Sequence, residues 1–99
     1  ACCAARLLKE KGAREIYMFV CHGIFSGNMD NIISSCFSKI IITNTVPCSD
    51  IVRKCSKIEI IDVSCLCAAA IKKQNNGESL TKLYDEDVFN TQFTELEFI

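Results

Sequence analysis

The 99-residue chain is poor in the residues that punctuate a fold: it has one proline, four glycines and a single histidine. It has no run of about 18 uninterrupted apolar residues, so no segment reads as a bilayer-spanning helix. Nor is there a surplus of positive charge. Eleven Lys and Arg stand against 12 Asp and Glu, a net charge of −1, which excludes a globally basic nucleic-acid binder. No basic stretch leads into an apolar core and a small-residue cleavage site, so no secretory signal is visible. The apolar fraction, 49%, is too high for a disordered tail, and the length allows one small domain.

Cysteine is what the chain has in excess, with eight. The pattern is not that of a disulfide scaffold. Cys2, Cys3, Cys21, Cys65 and Cys67 sit inside apolar runs, where a free thiol behaves as a small hydrophobe. Zinc would need paired C-x-x-C-type knuckles or cysteines joined by histidines, and neither is present. The expectation is buried, reduced thiols in a cytoplasmic protein.

Helical spacing runs from Ala1 to Lys11, with Ala1, Ala4, Ala5 and Leu8 on one face and Gly12 placed to end it in a left-handed conformation. Ile16 to Cys21 is a short continuous apolar run, which reads as a strand covered on both faces. A loop, His22 to Asn28, leads into a weaker helix through about Cys36, with Ile32 and Ile33 turned inward. Ile40-Ile41-Ile42-Thr43 reads as a second buried strand, stopped by Pro47 in the polar stretch beyond. Ser49-Asp50 opens a short helical turn. Ile58 to Val63, partly alternating, reads as a third strand nearer a sheet edge. Ser64 is expected to cap a helix from Cys65 to about Gln74, ended by Asn75-Asn76-Gly77. Helices and strands alternate, so the fold class is α/β with a parallel sheet flanked by helices and joined by right-handed crossovers. Residues after Lys82 carry −5, leaving +4 on the rest by difference from −1. A mildly basic body suits a phosphorylated substrate. Residues 85–99 read as an acidic tail on a domain spanning residues 1–84.

In an open parallel sheet, ligands bind beyond the carboxyl ends of the strands. That rule selects His22-Gly23 with Ser26-Gly27, and Thr43-Asn44-Thr45, whose amides and hydroxyls can face an anion. The bland reading stands beside it: the glycines shape a turn, Thr and Asn cap the next helix, and His22 is a hydrogen-bonded loop residue. No Walker loop, no G-x-S-x-G elbow and no magnesium-holding carboxylate cluster is present. Asn76-Gly77-Glu78-Ser79-Leu80-Thr81 is turn-like, with two hydroxyls two residues apart that can take a phosphate or cap the C-terminal segment.

Four segments in order, His22-Gly23-Ile24-Phe25-Ser26-Gly27, Thr43-Asn44-Thr45-Val46-Pro47, Cys55-Ser56-Lys57-Ile58 and Asn76-Gly77-Glu78-Ser79, resemble the C-terminal part of ribose-phosphate pyrophosphokinase, or phosphoribosyl pyrophosphate synthase. The match runs over essentially residues 1–84. The resemblance implies a partial type I phosphoribosyltransferase-like domain. It further implies transfer of pyrophosphate from ATP to ribose 5-phosphate, dependent on Mg2+ bound by residues upstream of this chain. The ribose-phosphate loop is expected just before Ala1, so that the chain is a fragment, inactive alone. By the same resemblance, Ser79 and Thr81 match the family's two effector-site hydroxyls for phosphate and ADP, Thr81 standing for a serine. The family also implies a hexamer-like homo-oligomer, with no nucleic acid and no membrane as partners. Asn28-Met29 departs from the proline and alanine the family often carries there. Two rival readings remain: a non-catalytic synthase-associated regulatory subunit, and a thiol-based metal or redox module.

Overall fold

The computed structural model describes residues 1–85, and the chain divides into two compact units at Ile61/Asp62. The first unit runs α1 (Cys2–Glu10), β1 (Tyr17–His22), α2 (Asp30–Ile33), β2 (Lys39–Thr43), α3 (Asp50–Lys54), β3 (Ile58–Ile61). The strands form one parallel sheet in the order β1-β2-β3, giving the α/β architecture expected from alternation. The described part of the second unit holds α4 (Ser64–Asn75) and a 3₁₀ turn (Leu80–Tyr84). The expected tail beyond Asp85 lies outside the described residues.

Register explains the core. The rows Met18–Ile40–Ile58 and Val20–Ile42–Ile60 lie across one face of the sheet. Ala5 of α1, Phe37 and Val52 of α3 join Ile40, Ile42 and Ile58 in one buried cluster, with Met29 and Ile32 packed against it. Ile40 and Ile42 are fully buried. Each such side chain contributes about 1.5–3 kcal/mol on leaving water. The opposite face carries Tyr17, Phe19, Ile41 and Ile61, and there Phe19 is 73% exposed.

Several sequence expectations change accordingly. Among the described strands β1 lies at the edge of the sheet, and its Tyr17 and Phe19 face is exposed where both faces were expected to be covered; a continuous apolar run cannot say which of its two alternating faces finds a partner. On α1 only Ala5 is buried, while Leu8 and Ala4 are exposed. The second helix ends at Ile33 instead of Cys36 because serines divert its backbone. Ser34 Oγ donates to the Asp30 carbonyl at 2.7 Å and Ser35 Oγ to that of Ile32 at 2.6 Å. Ile33 is therefore exposed, and only Ile32 reaches the core. Ser64 is the first helical residue of α4, with Val63 at the cap position. Its amide and hydroxyl both donate to Asp62 Oδ1.

The cysteines also depart from expectation. All eight are free thiols, but none is buried. Cys2, Cys36, Cys48 and Cys55 are half-buried against the core, whereas Cys3, Cys21 and Cys67 are exposed. Elsewhere local chemistry agrees with the sequence. Gly12 takes φ +97° after α1, and Ser49 caps α3 by accepting from the Val52 amide at 3.4 Å.

Candidate functional site

The parallel pairing of β1 with β2 sets their carboxyl ends side by side. Register runs regularly to Val20↔Ile42 and then shifts, so that His22 faces Thr43 and Cys21 is skipped. Such a bulge re-aims the side chains around it. The Cys21 carbonyl is taken up by two hydroxyls: Thr43 Oγ1 in a short hydrogen bond and Thr45 Oγ1 at 2.8 Å. The two hydroxyl oxygens lie 2.9 Å apart, and the Thr45 amide donates to Thr43 Oγ1 at 3.4 Å. His22 Nδ1 lies 2.7 Å from Thr45 Oγ1. An isolated bridge pairs His22 with Asn44, whose amide donates to the Ile61 carbonyl at 3.1 Å. The topology thus brings together four residues singled out in the sequence: His22, Thr43, Asn44 and Thr45.

Gly23, the fifth, has a packing role. A Cβ there would stand 2.6 Å from Phe25 Cε2 and 3.0 Å from Ile42 Cδ1, so only glycine lets the Phe25 ring close over this point. Phe25 itself holds a positive φ of 46°, a conformation uncommon outside glycine. Neither Phe25 nor the bulge at Cys21 has a signature in the sequence, because both arise from how β1 leaves the sheet. A shallow groove of about 150 Å³ on the open face reaches this edge, walled by Phe19, Cys21, Ile41, Thr43 and Ile61.

The other two candidates, Ser79 and Thr81, lie together in the second unit. Gly77, at φ +70°, ends α4, and the chain turns through Glu78, whose amide donates to the Lys73 carbonyl at 2.8 Å. Lys73 Nζ lies 3.5 Å from Glu78 Oε2, which ties the turn to the helix. Ser79 Oγ caps the 3₁₀ turn by accepting from the Thr81 amide at 3.3 Å, leaving its own proton free to donate. Thr81 lines a cavity of about 430 Å³ with Leu66, Leu80, Leu83 and Tyr84. Sequence reasoning found the two hydroxyls but not the apolar wall beside them. Three of its members follow the turn only because the chain winds into a 3₁₀ helix there.

The magnesium implied by the resemblance needs clustered oxygen ligands. Among the described residues no three His, Cys, Asp or Glu side chains form a group able to hold a metal ion, so these residues do not fit such a site. The same observation leaves the thiol-based metal module without a ligand set among the described residues. Among those residues, too, no helix is long and apolar enough to cross a membrane.

Comparison with solved structures shows the fold elsewhere. Phosphoribosylpyrophosphate synthetase from Mycobacterium smegmatis superposes with a TM-score of 0.71 over 77% of this chain at 22% identity. The chain spans about a quarter of that protein's length, 26%. At that identity the likeness is one of fold. The family is shown by the sequence profile of the phosphoribosyl synthetase-associated domain, which matches residues 1–85, the whole of the described chain. This protein belongs to the phosphoribosyl synthetase-associated domain family.

Proposed function

We propose that this chain is the carboxyl-terminal portion of a ribose-phosphate diphosphokinase, where it serves effector recognition while the catalytic groups lie elsewhere in the protein. The observation that carries the reading is the cavity beside Thr81. A hydroxyl pair at the end of a turn suits a phosphate, and the adjoining wall of Leu66, Leu80, Leu83 and Tyr84 suits an aromatic base. Phosphate and ADP are the effectors that fit this combination. In this reading ATP and ribose 5-phosphate are substrates of the whole enzyme, a cytoplasmic homo-oligomer. Mg2+ is held by residues outside those described here.

The test is the double substitution S79A/T81A in the enzyme that contains this chain. Loss of one to two hydroxyl contacts predicts phosphate activation or ADP inhibition weakened by about 5- to 30-fold in half-effective concentration. Unchanged responses to both effectors would remove the assignment. The isolated 99 residues are expected to make no phosphoribosyl pyrophosphate, and measurable turnover would refute that division of labour.

A second reading has a specific observation behind it. The matching family is that of a synthetase-associated domain, a description that is also consistent with a non-catalytic subunit acting on an active synthetase. Sequencing upstream separates the two. An acidic ribose-phosphate loop followed by Ala1, together with a catalytic lysine, supports the enzyme; their absence supports the associated subunit.

A further inference from the structure

We infer that the Thr43–Thr45 pair holds neutral His22 as its Nδ1–H tautomer, so that Nε2 is presented at the carboxyl edge of the sheet as an acceptor for a ligand hydroxyl. Too few protons are available for the contacts. Three oxygens, the Cys21 carbonyl and the Thr43 and Thr45 hydroxyls, lie within 2.9 Å of one another. Two hydroxyl protons serve those three contacts. If Thr45 gave its proton to His22 Nδ1, two of the three oxygen pairs would face each other with no proton between them. The arrangement is best satisfied when both hydroxyl protons stay among the oxygens and Nδ1 donates its own hydrogen to Thr45 Oγ1, 2.7 Å away. The other ring nitrogen then carries a lone pair. His22 is exposed, and Nε2 has no hydrogen-bond partner among the described residues.

This changes the character of the edge. The two threonine hydroxyls would serve an anion if they had protons to give, but both are spent on the Cys21 carbonyl and on each other. What faces outward is an acceptor. A neutral imidazole nitrogen takes a hydrogen bond from a sugar hydroxyl, and an ionised phosphate offers it none. The edge therefore suits a group that donates, such as a sugar hydroxyl, with any phosphate of the molecule held by other groups. The choice of ribose 5-phosphate as probe rests on the functional reading above; the tautomer does not.

The experiment is nitrogen-15 NMR of the His22 ring in the whole protein that contains this chain. The expected result is a protonated Nδ1 and bare Nε2 in the neutral ring, with that preference lost in T45V. Ribose 5-phosphate should then shift Nε2 saturably. H22N, which keeps a group able to donate to Thr45 but lacks Nε2, should bind about 2- to 12-fold more weakly, the net effect of one hydrogen bond. Inorganic phosphate alone should leave Nε2 unmoved. A protonated Nε2 in the unsubstituted chain, equal binding by H22N, or the same Nε2 shift with inorganic phosphate would overturn the inference. So would ribose 5-phosphate moving other signals but not Nε2, and there the functional reading would stand. Should ribose 5-phosphate, ADP and phosphate all leave every signal unmoved, both would fall.

Discussion

Ile40 and Ile41 are neighbours of the same residue type in the same strand, yet Ile40 is fully buried and Ile41 is only half-buried. The difference is the pleat. Alternate residues point to opposite faces of the sheet, and α1, α2 and α3 contribute to the cluster on only one of them. The rows containing Ile40 and Ile42 meet Ala5, Phe37 and Val52. The row Phe19–Ile41–Glu59 lies on the other face, where Phe19 and Tyr17 are largely exposed. Residues of the same apolar type are therefore unequal in energy on the two faces, since burial removes apolar area from water only where a second layer packs; the open face also carries Lys39, Thr43 and Glu59.

Substitutions that distinguish the faces test this directly. The largest effect is expected at the centre of the packed face, where I40A should lower unfolding free energy by about 2–5 kcal/mol in urea titration. Equal losses from I40A and I41A would erase the comparison. G23A comes next. Its methyl would press on Phe25 and Ile42 of the packed side, and a loss of about 1–3 kcal/mol is expected from the same titration. F19S, on the open face, should change stability by no more than about 0.5 kcal/mol. A cost as large as that of I40A would show that Phe19 is packed in solution.

The smallest effect is electrostatic and also lies on the open face. Tyr17 donates its phenol proton to Glu15 Oε2 at 2.8 Å. That hydrogen bond, and then the carboxylate charge, hold its pKa above the ordinary 10.0. The folded value being raised, any stability from the pair is complete below the unfolded pKa and is lost as pH rises through the folded one. E15Q should bring the tyrosinate absorbance titration back toward the ordinary value. A curve unmoved by E15Q would mean that the contact is not populated.

Legibility in the sequence followed the range of the interaction. Gly12 at the end of α1, Ser49 at the start of α3 and the break at Gly77 were readable because each depends on neighbours within one turn of chain. The parallel α/β arrangement was readable too, from alternating helical and extended patterns. The length of α2 was not, since Ser34 and Ser35 bond back to its own carbonyls and apolar periodicity does not register that competition. Burial of the cysteines failed for a related reason. Cys3, Cys21 and Cys67 sit in apolar runs, but on faces that the described structure leaves open. At the candidate sites, residue types were legible while their roles were not. His22, Thr43, Asn44 and Thr45 stood out by position, but the bulge at Cys21 decided which of their protons are committed.

One proline, few glycines and three short apolar runs were enough to specify a chain of alternating helices and parallel strands, because those features act through local conformation and side-chain period. They were also enough to point to the carboxyl edge of the sheet and to the turn at Ser79. Which face of the sheet became the core depended on where three helices came to pack. Likewise, what His22 offers a ligand depended on two threonines 21 and 23 positions away in sequence, brought alongside by strand pairing. Tertiary structure decided those points because both are contacts across chain distance, and no local pattern encodes the partner.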